Sequence, residues 1–222
     1  MVQARTASLR APVAAPAQFH IAPRVDLRTG AVAAGVTRVD APLLSTDWVA
    51  LMSDARKAWR DSGYVAPISC RAPGECLADA VTASDLDQAL RAAGFAMRGV
   101  TIEVDENALL HDRENAMAAL ERLRARGWGV MLRSAADCPL PFGAALRGVF
   151  TDLYVDAPLD LTPFLGLEGY DDEPLARRVR AAANAGIAVT AGGLYTLAHA
   201  PLLIGAGFDR GEGPGVNLHR VH

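Results

Sequence analysis

Lysine is nearly missing from this chain. Of its 22 lysines and arginines only Lys57 is a lysine, so almost every cation it carries is a guanidinium. Cysteine is scarce too. Cys70, Cys76 and Cys138 are odd in number and lack zinc-like spacing, which argues against a disulfide framework and a zinc site. Reduced, partly buried thiols are expected, as in a cytoplasmic protein. No run approaches the roughly 20 apolar residues that span a bilayer, which excludes a membrane-spanning helix. A net charge of −3 and a pI near 5.9 give no electrostatic case for nucleic acid or for an anionic membrane surface. Residues 1–17 contain small residues and arginines without a sustained apolar core, and read as a flexible tail. What is present is ordinary globular composition, 51% apolar and 21% charged, over enough length for one large α/β domain across residues 18–222.

The order of elements is legible from periodicity. His20–Asp26, a turn at Leu27–Gly30 and Ala31–Val39 read as strand, tight turn and strand, with Gly30 tolerating positive φ. Trp48, Leu51, Met52, Ala55 and Trp59 recur at helical spacing behind a cap at Ser45, Thr46 or Asp47. Tyr64–Ser69 reads as a strand, and Ser84 or Asp85 as the cap of a helix through Ala93. Val100–Val104 is a strand. Asp112 caps a helix over Arg113–Arg126 that turns Met117, Leu120 and Leu123 inward. Strands at Gly129–Leu132, Thr151–Val155 and Ile187–Thr190 alternate with helices at Leu140–Arg147, Glu173–Ala185 and Thr196–Gly205, and a Gly-rich tail follows. Alternation of this kind is the pattern of a parallel sheet with crossover helices, and the strand count favours a closed (β/α) barrel. The first two strands are joined too tightly for a crossover and must be antiparallel.

Five segments carry a resemblance. VDLRTG at Val25–Gly30, IEVDE at Ile102–Glu106, Leu153–Asp156, VTAGGLYT at Val189–Thr196 and GFDRGEG at Gly207–Gly213 fall in the order and spacing of the landmarks of EAL domains, the phosphodiesterases that hydrolyse cyclic di-GMP. The resemblance covers roughly residues 20–222. It implies an α/β fold, an EAL-like (β/α)8 TIM-type barrel with an antiparallel first strand. In that family several carboxylates hold Mg²⁺ or Mn²⁺, and the metals activate water for in-line attack on a phosphate.

Carried over position by position, the resemblance implies a loss of chemistry. The Glu of Glu-Ala-Leu aligns with Ala34, the metal-binding Asn with Pro67, and the aspartate pair with Arg133 and Ser134. The catalytic-site Lys aligns with Tyr154, the Glu after the next strand with Gly192, and a later Glu with Tyr195. Only Glu103, Glu106 and Asp156 keep carboxylates, too few for two hard cations. Arg133 stands where metal charge belongs, and an ion pair with Glu103 would neutralise the site from within. Arg38 occupies the place of a phosphate-contacting arginine. Against nucleotide binding, the family's Gln of Gln-Gly is Glu212, which adds repulsion towards phosphates, and an early Gln is Ala22. A shorter segment over Val39–Gly63, with a single helix, reshapes one wall of the cleft.

The remaining candidates have plain readings. Asp171, Asp172 and Glu173 precede a helix and favour its dipole. Arg177, Arg178 and Arg180 read as a solvated helix face. His219 and His222 read as a frayed tail, and His111 as a helix-start residue. The expectation from sequence is therefore a catalytically inactive EAL-like protein of bacterial signalling, with no metal and no cofactor. It would act as a regulator or adaptor on another protein, with metal-independent cyclic di-GMP reception as the alternative.

Overall fold

The computed structural model describes residues 18–39, 45–134, 148–156 and 174–216. The expected tail at 1–17, the expected helix at 140–147, Cys138, the acidic cluster at 171–173 and the C-terminal histidines lie outside them.

Eight strands close into a barrel in chain order: β1 (Phe19–Asp26), β2 (Val32–Val39), β3 (Ile68–Arg71), β4 (Val100–Asp105), β5 (Gly129–Ser134), β6 (Asp152–Asp156), β7 (Ala188–Gly192) and β8 (Arg210–Gly211). β1 runs antiparallel to both β2 and β8, and every other neighbouring pair is parallel. This is the expected (β/α)8 barrel with an antiparallel first strand. The β1–β2 hairpin forms because Asp26 organises its turn. Its carboxylate accepts from the Arg28 and Thr29 amides at 3.0 and 2.8 Å, and Gly30 adopts φ 71°.

The helices are α1 (Ser45–Asp61), α2 (Ala80–Ala92), α3 (Glu106–His111), α4 (Arg113–Ala125), α5 (Pro174–Asn184) and α6 (Ala200–Gly205). The five apolar positions read at helical spacing in α1 are all buried. Trp48, Trp59 and Trp128 are fully buried, and each indole N–H finds an acceptor: the Arg71 carbonyl at 2.8 Å, the Ala66 carbonyl at 3.1 Å and the Asp87 carboxylate at 2.8 Å. Asp112 caps α4 as expected, accepting from the Asn115 amide.

Several boundaries differ from the sequence reading, each for a local reason. The cap of α2 is Asp79, not Ser84 or Asp85. Its carboxylate accepts from the Val81 and Thr82 amides while the Thr82 hydroxyl accepts from the Asp79 amide, a reciprocal pair that starts the helix five residues early. β3 begins at Ile68, because Tyr64 folds back to stack on Trp59, ring centroids 4.1 Å apart. α3 was not foreseen, nor was β8, which lies in the Gly-rich stretch read as tail. Among the described residues no helix is long and apolar enough to cross a membrane.

Gly35 marks where α1 presses on the barrel. A Cβ there would lie 2.7 Å from the Trp59 ring. Gly35→Ala should therefore destabilise the fold by about 1–3 kcal/mol, the usual cost of overpacking, read as a lowered urea midpoint with unchanged slope. An unchanged midpoint would show that the α1–barrel contact yields freely.

Candidate functional site

Side chains alternate along a strand, so His20, Ala22 and Arg24 share one face of β1, and Ala34, Val36 and Arg38 one face of β2. The register sets His20 opposite Arg38, Ala22 opposite Val36 and Arg24 opposite Ala34. Two arginines thus enter the barrel from its antiparallel corner, and the small Ala34 leaves room for the long side chain facing it. Across the interior, β4 brings Glu103, β3 brings Ser69, β5 brings Arg133, and Glu212 follows β8.

These groups form one ion-pair network. Glu103 is fully buried. One of its oxygens accepts from Arg24 Nη2 at 2.8 Å and from the Ser69 hydroxyl at 2.7 Å; the other accepts from Arg133 Nη1 at 3.0 Å and Arg38 Nη1 at 3.3 Å. Glu212 accepts from Arg24 through Nε and Nη2, at 3.0 and 2.8 Å, and from Arg38. Arg24 is itself buried, so it bridges both carboxylates away from water. Burial alone would raise the pKa of Glu103, but the Arg24, Arg38 and Arg133 guanidiniums outweigh it and hold the carboxyl down at about 2. Burial likewise acts to lower the pKa of Arg24, and the Glu212 and Glu103 carboxylates raise it by more.

Three guanidiniums meet two carboxylates, leaving one excess positive charge. The guanidiniums that reach solvent are Arg38, 29% exposed, and Arg133, 16% exposed. Arg38 and Glu212 line a cavity of about 180 Å³ at the barrel mouth, with His20, Val36, Tyr154 and Gly193.

Arg133, Tyr154, Asp156 and Gly192 pack as a unit. The Arg133 guanidinium lies over the Tyr154 ring, 3.7 Å from its centroid. The Tyr154 hydroxyl donates to Asp156 at 2.7 Å. Burial, then the nearby Glu212 carboxylate, push the Tyr154 phenol well above its ordinary pKa. A Cβ at Gly192 would fall 1.9 Å from the Tyr154 oxygen, so the tyrosine occupies the space a side chain at 192 would need.

The expected Arg133–Glu103 pair is thus in place, and Arg38 joins it. Glu106 and Asp156 are not gathered with them. Glu106 opens α3, buried, and accepts from the Ser134 hydroxyl at 2.9 Å and from Arg178 Nη1 at 3.4 Å. Asp156 stands exposed at the end of β6. Pro67 precedes β3 and lines a cavity at the other end of the barrel. Two readings need correction. Arg178 is not part of a solvated face: it is buried against Glu106 and Ser134, while Arg177 and Arg180 are exposed. Glu212 is no free negative charge repelling phosphates, because Arg24 and Arg38 neutralise it. The sequence reading missed Arg24. Its one signal was a charge inside an apolar strand, on the same face as Ala22.

Comparison with known proteins places this geometry. No family model matches the chain, and no curated protein matches it. Solved structures do. The PaMucR phosphodiesterase in complex with c-di-GMP is similar with a TM-score of 0.73 at 16% identity, over 93% of this chain and 97% of that one. The EAL domain of Mycobacterium smegmatis DcpA has a TM-score of 0.69 at 21% identity, over 92% and 93%. A manganese and c-di-GMP complex of Klebsiella pneumoniae BlrP1 has a TM-score of 0.66 at 20% identity, over 90% of this chain and 55% of that one. The fold is that of EAL domains.

These neighbours overturn the expectation that the chain is not an enzyme. The fold it shares is one in which phosphodiesterases are found, and the expectation rested on matching ligand positions letter by letter. At 16–21% identity such matching does not establish that catalytic residues are lost. Segments 135–147 and 157–173, which follow β5 and β6 in the chain, lie outside the described residues. The described residues alone do not fit a metal pair. No three His, Cys, Asp or Glu among them lie together, and guanidiniums and Ser69 hold the Glu103 oxygens.

Glu103→Ala should strand Arg24 in the interior beside a single carboxylate, costing about 3–5 kcal/mol as for other broken buried ion pairs, seen as a melting temperature lower by about 10 °C. An unchanged melting temperature would show that the network carries no stability. The pH dependence has a definite sign. The folded pKa of Glu103 lies below the ordinary value of 4.5, so its contribution is complete above that value and is lost as pH falls from 4.5 towards about 2. Acid unfolding of Glu103→Gln should be less steep than wild type in that window; identical acid profiles would contradict this.

Proposed function

We propose that this protein serves bacterial cyclic di-GMP signalling as a regulatory EAL-fold protein whose barrel mouth receives the dinucleotide through its phosphates. The observation that carries this reading is the charge balance at the mouth. Three guanidiniums face two carboxylates, and the two partly exposed members, Arg38 and Arg133, are both cations. A phosphodiester carries one negative charge and the acceptor geometry that a guanidinium matches. The fold is shared with proteins solved in complex with c-di-GMP. The cavity of about 180 Å³ at the mouth opens beside Arg38 and offers room for a phosphate group. The free, buried thiols of Cys70 and Cys76 suit the reducing bacterial cytoplasm.

A second reading is the adaptor that acts by binding another protein. Tyr195, 70% exposed just beyond β7, and Leu202, exposed on α6, favour it, because aromatic and aliphatic groups left in water are candidate contacts.

Calorimetric titration of cyclic di-GMP, with Mg²⁺ and then with chelator, tests the first reading. Binding should survive chelation and weaken tenfold or more in Arg38→Ala, a change of about 1.4 kcal/mol or more. No binding under either condition, or binding that needs the metal, would refute phosphate reception by arginine; no binding at all would leave the adaptor reading. The same samples, assayed for linear dinucleotide, report turnover directly.

A further inference from the structure

The barrel has a second charged cavity at the opposite end. It measures about 290 Å³, and its walls include the first residues of β4, β5 and β6 through Thr101, Gly129 and Asp152. Four arginines line it: Arg24, Arg98, Arg124 and Arg210. Two of them are matched. Arg24 is committed to Glu103 and Glu212, and Arg210 pairs with Asp152. Arg98 and Arg124 have no carboxylate partner among the described residues, so two positive charges stand uncompensated at one cavity. Arg124 Nη1 donates to the Trp128 carbonyl at 2.9 Å, yet its Nε is a buried donor with no acceptor among the described residues. A buried guanidinium donor left unmet is costly, and an anion in the cavity would offset the charge of the guanidinium beside it.

We propose that this N-terminal cavity binds a phosphoryl-bearing small anion, held by the guanidiniums of Arg98 and Arg124. Arg98, in the turn before β4, and Arg124, in the last turn of α4, present planar forks suited to phosphate oxygens. Arg210, paired with Asp152, lines the same cavity. Thr101 provides a hydroxyl on the same wall. Catalytic sites of (β/α)8 barrels lie at the C-terminal ends of the strands. A site at the N-terminal ends is therefore separate from the mouth and does not rest on the function proposed for it.

Inorganic pyrophosphate, titrated calorimetrically into the full chain at constant ionic strength, is the probe. Saturable one-to-one binding is expected, weakened tenfold or more in Arg98→Gln and in Arg124→Gln and retained in Arg38→Ala. Arg98 is exposed and makes no hydrogen bond among the described residues, so Arg98→Gln should melt with the wild type and keep the test clean if Arg124→Gln misfolds. Absence of saturable binding, binding indifferent to Arg98→Gln, or loss confined to Arg38→Ala would each overturn the proposal.

Discussion

A carboxylate with no access to water, Glu103, must be kept charged inside the barrel, and the surrounding architecture follows from that requirement. Isolated burial of such a charge would cost several kcal/mol, so it persists only when its lone pairs are filled. Arg24, Arg38, Arg133 and Ser69 fill them from four strands, β1, β2, β5 and β3. The arginines in turn dictate their neighbours. Arg24 needs the small Ala34 opposite it. Arg133 needs a flat surface to lie on, which Tyr154 supplies, and Tyr154 needs the missing side chain of Gly192. Residues that look like separate departures from a family pattern are one mutually adjusted packing solution.

That solution was only partly readable in one dimension. The Arg133–Glu103 pair was legible because the resemblance set both residues at one site, and the parallel neighbours β4 and β5 bring them together. Arg24 was not, because its contact with Glu103 exists only after the barrel closes, 79 residues apart in sequence. Closure itself depends on β8, two residues long, which no periodicity can reveal, although its neighbour Glu212 anchors the network. Where local chemistry governs, the sequence was sufficient: the turn at Leu27–Gly30, the apolar stripe of α1 and the Asp112 cap. It failed at α2, where two capping candidates lay downstream of a better one, and at Arg178, where charge alone suggested water and tertiary packing supplied Glu106 and Ser134 instead.

The distribution of charge is more telling than its total. A chain with net charge −3 directs guanidiniums to both ends of its barrel. At the C-terminal end they are nearly balanced by Glu103 and Glu212, whereas at the N-terminal end Asp152 answers only one of them. Local imbalance of this kind is compatible with a folded protein because Arg98 is exposed, where water screens its charge, and only Arg124 is part-buried.

On the proposed reading, recognition at the mouth is an exchange rather than a simple addition. An anion reaching Arg38 competes with Glu212 and Glu103 for the same donors, while Arg24, buried and bound to both carboxylates, has no freedom to leave them. The exchange is favourable only if the incoming group offers more than one charged oxygen, because each guanidinium must recover the hydrogen bonds it gives up. Neutral ligands have nothing to trade. On that proposal the same ion pairs that hold the barrel together set the threshold an incoming anion has to pass.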